Sequence, residues 1–154
     1  MDYIALVPSK ESAAKIKSYI FKYKDIFLTP ERNVHSTVRY PNVNPFLDLN
    51  EKLLEYLFSF PSITLDPRSY SLEPLGESLV LRYEHPKVVE LHNHLSNQNS
   101  EMEKYLQSVG LGINSPYNFS DFVPHITLSQ PPFGKDYKKI PVFSEPITLE
   151  GILI

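Results

Sequence analysis

The sequence FVPHITLSQ, at residues 122–130, alternates apolar and polar side chains. Alternation with a period of two is typical of a β-strand that has one buried face. The polar face of this predicted strand carries His125, Thr127 and Ser129, and the apolar residues between them point to the opposite face. With a rise of about 3.3 Å per residue, the imidazole and the first hydroxyl lie about 7 Å apart along the strand.

A near copy of this pattern, NVHSTVRYP, stands at residues 33–41. There His35, Thr37 and Arg39 project from one face of a second predicted strand. From this composition, roughly 0.16 His-x-Thr matches are expected by chance. Two matches, each followed by an apolar residue, therefore indicate a shared function rather than a coincidence.

The two motifs also sit in similar surroundings: a strand, a helix, the His-x-Thr strand, and then a strand that reads Ile-Thr-Leu-acidic. This last strand is FSFPSITLD at residues 58–66 and VFSEPITLEG at residues 142–151. Two pairs of similar segments in the same order predict a single domain over residues 1–154 that is built from two pseudo-symmetric halves. The alternative is that a proline followed by alternating apolar residues is simply how strands begin.

Apolar periodicity, together with the positions of proline and glycine, predicts the other elements. Helices are expected at residues 10–23, 45–58 and 86–109, and strands at residues 3–7, 34–40, 62–66, 70–74, 78–83, 122–130 and 146–154.

Composition excludes several classes of function. The chain has 15 basic and 18 acidic residues, a formal charge of −3, so we expect no long duplex nucleic acid as a partner. A small anionic ligand in a local pocket is compatible with this charge. The chain has no cysteine, which excludes disulfides, thiolate nucleophiles and cysteine-ligated zinc. No signal-like segment and no run of about 18 apolar residues occurs, so we expect a cytoplasmic protein without a membrane partner.

Two His-x-Thr strands facing one cleft would surround a phosphate with two imidazoles and two hydroxyls. A histidine pKa of about 6.5 keeps both protonation states accessible near neutral pH, so His35 and His125 could act as acid and base, in an order that the sequence leaves open. Thr37 and Thr127 would donate hydrogen bonds to the non-bridging oxygens, where charge accumulates in the transition state. Such chemistry requires no metal and no other cofactor. For either motif alone, a polar strand face in solvent is the simpler alternative.

The pair HSTV and HITL, about half a chain apart, resembles the signature of the two-histidine (2H, LigT-like) phosphoesterase superfamily, and YIALVPS resembles the opening strand of that fold. The resemblance covers most of the chain. It implies a bilobal α+β fold in which two antiparallel sheets face each other across a central cleft, with helices on the outside. It also implies metal-independent phosphodiesterase chemistry at a phosphate beside a ribose 2′-hydroxyl.

Within this superfamily, residues 72–95 and 119–130 are most similar to the phage anti-CBASS nucleases, which degrade the cyclic oligonucleotide signals of bacterial antiphage defence. The implied partner is a cyclic oligonucleotide, cleaved at a 3′–5′ bond by a viral protein in the host cytoplasm. The alternative is short RNA or oligoadenylate with 2′,3′-cyclic or 2′–5′ linkages. The chain has no tryptophan, so base stacking would fall to tyrosine or phenylalanine.

Five further residues are candidates for substrate binding. Arg39 could neutralise a phosphate, and Ser129 could donate a hydrogen bond from the equivalent position of the second motif. Tyr3 and Tyr40 could stack on a base, and Phe122 lies beside the loop that enters the second motif. For each of them, core packing or ordinary solvent exposure is the alternative.

The segment His92-Asn93-His94 superficially suggests a metal site. Residues two apart in a helix point about 200° away from each other, so these two histidines do not share an ion. Two functions of other classes stay open beside the enzyme: a non-catalytic protein that sequesters a nucleotide, and a duplicated α+β protein that contacts another protein.

Overall fold

The computed structural model describes residues 4–39, 59–96 and 122–153. The strands are β1 (Ile4–Pro8), β2 (Ser36–Arg39), β3 (Ile63–Leu65), β4 (Ser71–Leu75), β5 (Ser78–Arg82), β6 (His125–Ser129) and β7 (Ile147–Leu153). The helices are α1 (Lys10–Lys22) and α2 (Pro86–Ser96), with 3₁₀ helices at Pro67–Ser69 and Tyr137–Lys139. The helix expected at residues 45–58, and the continuation of α2 towards residue 109, lie outside the described residues.

The strands form two antiparallel sheets. The four-stranded sheet has the order β2-β1-β7-β3, and the three-stranded sheet has the order β4-β5-β6. Each sheet therefore carries one of the two His-x-Thr strands, β2 or β6, as its last strand on one side. This arrangement confirms the predicted α+β class with one antiparallel sheet for each motif.

Helix α1 begins where its capping signal predicts. Ser9 is the N-cap, and its Oγ accepts a hydrogen bond from the backbone N–H of Ser12 at 3.1 Å, a contact that contributes about 1 kcal/mol. One turn apart, Ile16 and Ile20 point into the core. Neither helix in the described ranges is long and apolar enough to cross a membrane.

The two Ile-Thr-Leu segments lie side by side. β3 pairs antiparallel with β7, with Thr64 opposite Thr148 at the centre of the pairing. The isoleucine and leucine residues on either side of both threonines are buried. The two similar Ile-Thr-Leu segments thus pair with each other in a local two-fold arrangement. Duplication of the whole chain stays a prediction.

A shared hydrophobic core determines which face of β6 is buried. β5 contributes Leu79 and Leu81, β6 contributes Ile126 and Leu128, and α2 contributes Leu91, all of which are fully buried. Burying one such side chain contributes about 1.5–3 kcal/mol. Turning β6 over would therefore expose Ile126 and Leu128 at once.

The segment between α1 and β2 lies along β6. The N–H of Glu31 donates to the carbonyl of Leu128 at 3.0 Å, and the N–H of Gln130 donates to the carbonyl of Thr29 at 2.8 Å. This segment leads directly into the first His-x-Thr motif, so the approach to one motif is hydrogen-bonded to the strand that carries the other.

We predict that Gly134→Ala destabilises the protein and that Gly151→Ala, the matched control, does not. A Cβ at Gly134 would lie 2.7 Å from the carbonyl oxygen of Asp25 and 3.0 Å from the Cα of Ile26. Because both are backbone atoms, the loop must shift, at a cost of about 1–3 kcal/mol. At Gly151 the nearest atom is the Cβ of Val7 at 3.8 Å, an ordinary contact. Urea unfolding measures both free energies, and equal losses would contradict the close approach at Gly134.

Candidate functional site

The second His-x-Thr motif coincides with β6. Ile126 and Leu128 are fully buried, whereas His125 and Thr127 are partly exposed on the opposite face. β6 pairs antiparallel with β5, where Thr127 lies opposite Val80. The alternation predicted from the sequence therefore holds over these four residues.

The first motif begins just before β2, and it is more buried than the second. Ser36 and Val38 are buried, His35 is partly exposed, and Thr37 lies opposite Ala5 of β1 with 6% of its surface exposed. Within residues 4–39, 59–96 and 122–153, the hydroxyls of the two motif threonines have no hydrogen-bond partner. A hydroxyl with no internal acceptor has its proton available for a hydrogen bond to another oxygen.

Both motif histidines are held by the backbone two residues earlier. The Nδ1–H of His35 donates to the carbonyl of Asn33 at 2.6 Å, and the Nδ1–H of His125 donates to the carbonyl of Val123 at 2.7 Å. Because a carbonyl can only accept, Nδ1 carries a proton in both rings. In the neutral ring, Nε2 is then the nitrogen that can accept a proton.

The two imidazoles interact electrostatically. The pKa of His125 is lowered from its ordinary value of 6.5. The largest cause is burial, which disfavours the charged ring, and the positive charge of His35 lowers the pKa further. The hydrogen bond to Val123 opposes both effects without reversing them. His125 is therefore mainly neutral at neutral pH.

A side-chain hydrogen bond connects the two motif strands. The Oγ of Ser36, on β2, donates to the carbonyl oxygen of His125, on β6, at 2.8 Å. The hydroxyl of Tyr83 lies 2.6 Å from the same Oγ. Since Ser36 has one proton and gives it to the carbonyl, Tyr83 is the donor in this second bond. The x residue of the first motif thus contacts the backbone of the second.

Ser129 has contacts other than the one expected from its strand position. Its fully buried hydroxyl accepts from the N–H of Thr29 at 3.2 Å and donates to the carbonyl of Gln130 at 2.9 Å. Pro30 forms a β-bridge to Ser129 and so covers this end of β6. These contacts leave the hydroxyl no exposed surface for the ligand contact that we expected.

Phe122 stacks on the ring of His92, with ring centroids 3.9 Å apart and an interplanar angle of 11°. His92 is buried on α2, and its Nδ1–H donates to the carbonyl of Val38 at 2.7 Å. The stack therefore joins β2 to the segment that enters β6. Sequence analysis weighed His92 only for a metal site and missed this packing role. The spacing of His92 from Val88 and Leu91, which places it beside the buried face of the helix, is the signal that could have shown it.

The substrate-binding roles of the other candidate residues remain predictions. Arg39 is the last residue of β2, opposite Ile4 of β1. Tyr3 and Tyr40 lie outside the described residues. A ligand contact by Phe122, beyond its stack on His92, is likewise a prediction.

The fold is similar to the folds of LigT of E. coli and of TT0787 of Thermus thermophilus, as the LigT-like pattern of the paired motifs predicted. TT0787 of Thermus thermophilus has a TM-score of 0.63 and 17% identity, over 99% of this chain and 86% of that one. LigT of E. coli complexed with 3′-AMP has a TM-score of 0.59 and 19% identity, over 96% of this chain and 80% of that one. LigT complexed with ATP has a TM-score of 0.58 and 20% identity, over 96% and 81%. No protein-family model and no curated protein matches the sequence.

We predict that NMR titration finds the pKa of His125 below its ordinary value of 6.5. In His35→Gln this pKa should rise, because removing a neighbouring positive charge stabilises the protonated ring of His125. Two-dimensional spectra of the histidine ring protons follow the titration midpoint in both proteins. An unchanged midpoint in His35→Gln would contradict the electrostatic interaction between the two rings.

Proposed function

We propose that this protein is a metal-independent phosphodiesterase in which His35 and His125 are the acid and base. The main support is a hydrogen bond between the two His-x-Thr strands, which belong to separate sheets. It runs from Ser36 of the first motif to the carbonyl of His125 in the second. The interaction between the two imidazoles and the common Nδ1–H contacts support the same role. The fold, shared with LigT, is compatible with it.

We assign the role of base to His125. Burial and the charge of His35 lower its pKa, so its Nε2 is unprotonated at neutral pH. It would accept the proton of a ribose 2′-hydroxyl as that oxygen attacks the phosphorus. His35 would then be the acid, and its imidazole would pass a proton to the leaving 5′-oxygen as the P–O bond breaks.

The first step would produce a 2′,3′-cyclic phosphate and a free 5′-hydroxyl. In the second step, water attacks the phosphorus and the P–O2′ bond breaks, with the proton roles of the two histidines reversed. Thr37 and Thr127 would donate hydrogen bonds to the non-bridging oxygens in both steps. One such donor contributes about 10²–10³ in kcat in related chemistry.

As substrates we propose phosphodiesters of nucleotides that carry a 2′-hydroxyl, and among them cyclic oligonucleotides such as those cleaved by phage anti-CBASS nucleases. The protein would then be a viral enzyme that acts in the host cytoplasm. LigT of E. coli has been crystallised with 3′-AMP and with ATP, which supports nucleotide binding by this fold. Short RNA with 2′,3′-cyclic ends and 2′–5′ oligoadenylate are the alternative substrates.

The direct test is turnover of cyclic di- and trinucleotides, 2′,3′-cyclic nucleotides and 2′–5′ oligoadenylate, each in EDTA and followed by chromatography. We expect wild-type turnover of at least one of them, and losses of about 10²–10⁴-fold in His35→Ala and His125→Ala. His85→Ala, which removes a histidine at the start of α2, is the matched control and should retain activity.

Unchanged turnover in both motif variants would overturn the proposed acid–base pair. Ligand that is bound by the wild type and recovered intact after denaturation would instead identify a protein that sequesters a nucleotide.

The pH profile tests the assignment of the base. Because a protonated His125 cannot accept a proton, kcat/KM should fall as the pH decreases through its lowered pKa. The acidic limb should therefore be centred below the ordinary histidine value of 6.5. Steady-state kinetics across the stable pH range measure this limb. A limb centred above that value would contradict His125 as the base.

A further inference from the structure

The middle residue of the first motif is polar where that of the second is apolar. Ser36 stands in the position that Ile126 occupies in HITL, and both side chains are fully buried. An apolar residue would satisfy packing at such a position, whereas a hydroxyl is costly to bury unless it is hydrogen-bonded. The bonds that Ser36 makes therefore indicate why a serine stands there.

Both bonds of Ser36 lead to the beginning of β6. Its Oγ donates to the carbonyl of His125 at 2.8 Å and accepts from the hydroxyl of Tyr83, with 2.6 Å between the oxygens. Tyr83 is fully buried, and its own N–H donates to the carbonyl of Pro124 at 3.1 Å. Ser36 and Tyr83 thus hold two consecutive backbone carbonyls, immediately before and at the second motif histidine.

This contact matters because β2 and β6 belong to different sheets. In the described part of the chain, β2 is paired with β1 and β6 with β5, and no ladder joins β2 to β6. The Ser36 bond therefore runs from the neighbour of one motif histidine to the backbone of the other. A displacement of about 1 Å between reacting groups is enough to cost about 10²-fold in rate.

We propose that Ser36 and Tyr83 are positioning residues that set the separation of the two imidazoles by hydrogen-bonding β2 to the first residue of β6. This role rests on the proposed phosphodiesterase function, in which both rings act on one phosphate. Neither side chain touches the substrate, because both are fully buried.

The role of Ser36 has a consequence for His125 that does not depend on turnover. Burial is the largest cause of the lowered pKa of His125, and the charge of His35 lowers it further by an effect that weakens with distance. If the Ser36 bond holds the rings together, its removal should let the pKa of His125 rise towards its ordinary value. The NMR titration of the ring protons therefore reports on the positions of the two rings even if the protein cleaves no substrate.

The experiment compares Ser36→Ala, Tyr83→Phe and the double variant with two matched controls. Ser12→Ala removes another buried serine, whose Oγ accepts from the N–H of Thr148 at 2.9 Å. Tyr70→Phe removes another tyrosine hydroxyl, which donates to the carbonyl of Glu145 at 3.0 Å. Both controls lose a hydrogen bond to the backbone outside the motifs.

We expect Ser36→Ala to lower kcat about 10- to 100-fold with little change in KM, because the groups that bind the phosphate remain while their alignment is lost. Tyr83→Phe should have a smaller effect, since the bond from Ser36 to His125 is retained. The two controls should keep the wild-type kcat.

The double variant separates positioning from general stability. In Ser36→Ala the buried hydroxyl of Tyr83 loses its acceptor, so removing that hydroxyl as well should recover part of the melting temperature. The kcat should not recover, because the bond to His125 is still missing. Activity that followed the melting temperature across the series would overturn positioning as the role.

The titration distinguishes failure of this inference from failure of the proposed function. Suppose that the wild type cleaves a substrate and that Ser36→Ala keeps both the wild-type kcat and the wild-type pKa of His125. The positioning role is then wrong, and the proposed phosphodiesterase function is unaffected. If the wild type cleaves none of the phosphodiesters, the proposed function fails. A raised His125 pKa in Ser36→Ala would still support positioning of the rings, and an unchanged pKa would overturn it.

Discussion

The site depends on the register of two strands, β2 and β6. Val38, Ile126 and Leu128 are buried on one face, and the histidines and threonines of both motifs project from the other. A slip of one residue in either strand would carry its motif into the core and its apolar residues to the ligand side. Because each buried apolar residue contributes about 1.5–3 kcal/mol, core packing decides the register and the motif follows it.

The orientation of the imidazoles is encoded just before each strand begins. Asn33 and Val123 both precede the regular part of β2 and β6, so their carbonyls are not used in a sheet ladder. Each carbonyl accepts the Nδ1–H of the histidine two residues later. The tautomer that chemistry at Nε2 requires is therefore a local property of the backbone, and it arises twice in one chain.

Much of the fold follows from local pattern. Helix α1 was predicted at residues 10–23 and lies at Lys10–Lys22, because its cap at Ser9 and its apolar spacing are both short-range signals. The strands were placed within a few residues of their observed bounds for the same reason, since proline and glycine mark their ends.

Contacts between distant segments could not be predicted in this way. Alternation places Ser129 on the motif face, but the segment around Pro30 covers it, and nothing local signals that pairing. The partner of Ser36 is Tyr83, which is 47 residues away. A pattern of polar and apolar residues shows that a buried hydroxyl needs a partner without showing which one.

The two motifs share a pattern but not their surroundings, and an acid–base pair needs that difference. Two neighbouring imidazoles that were truly equivalent would share one proton equally, and neither would be reliably neutral. The bond of His35 to its carbonyl is exposed, whereas that of His125 is partly buried, and burial is what disfavours the charged form of His125.

The buried positions beside the two rings also differ. Ser36 offers a hydroxyl to the backbone of His125, whereas Ile126, in the equivalent position, has none to offer to His35. The hydrogen bond that Ser36 makes to the second motif therefore has no equivalent from the side chain of Ile126. If the two rings are the proposed acid and base, the greater burial of His125, rather than the shared motif, is what makes it the proposed base.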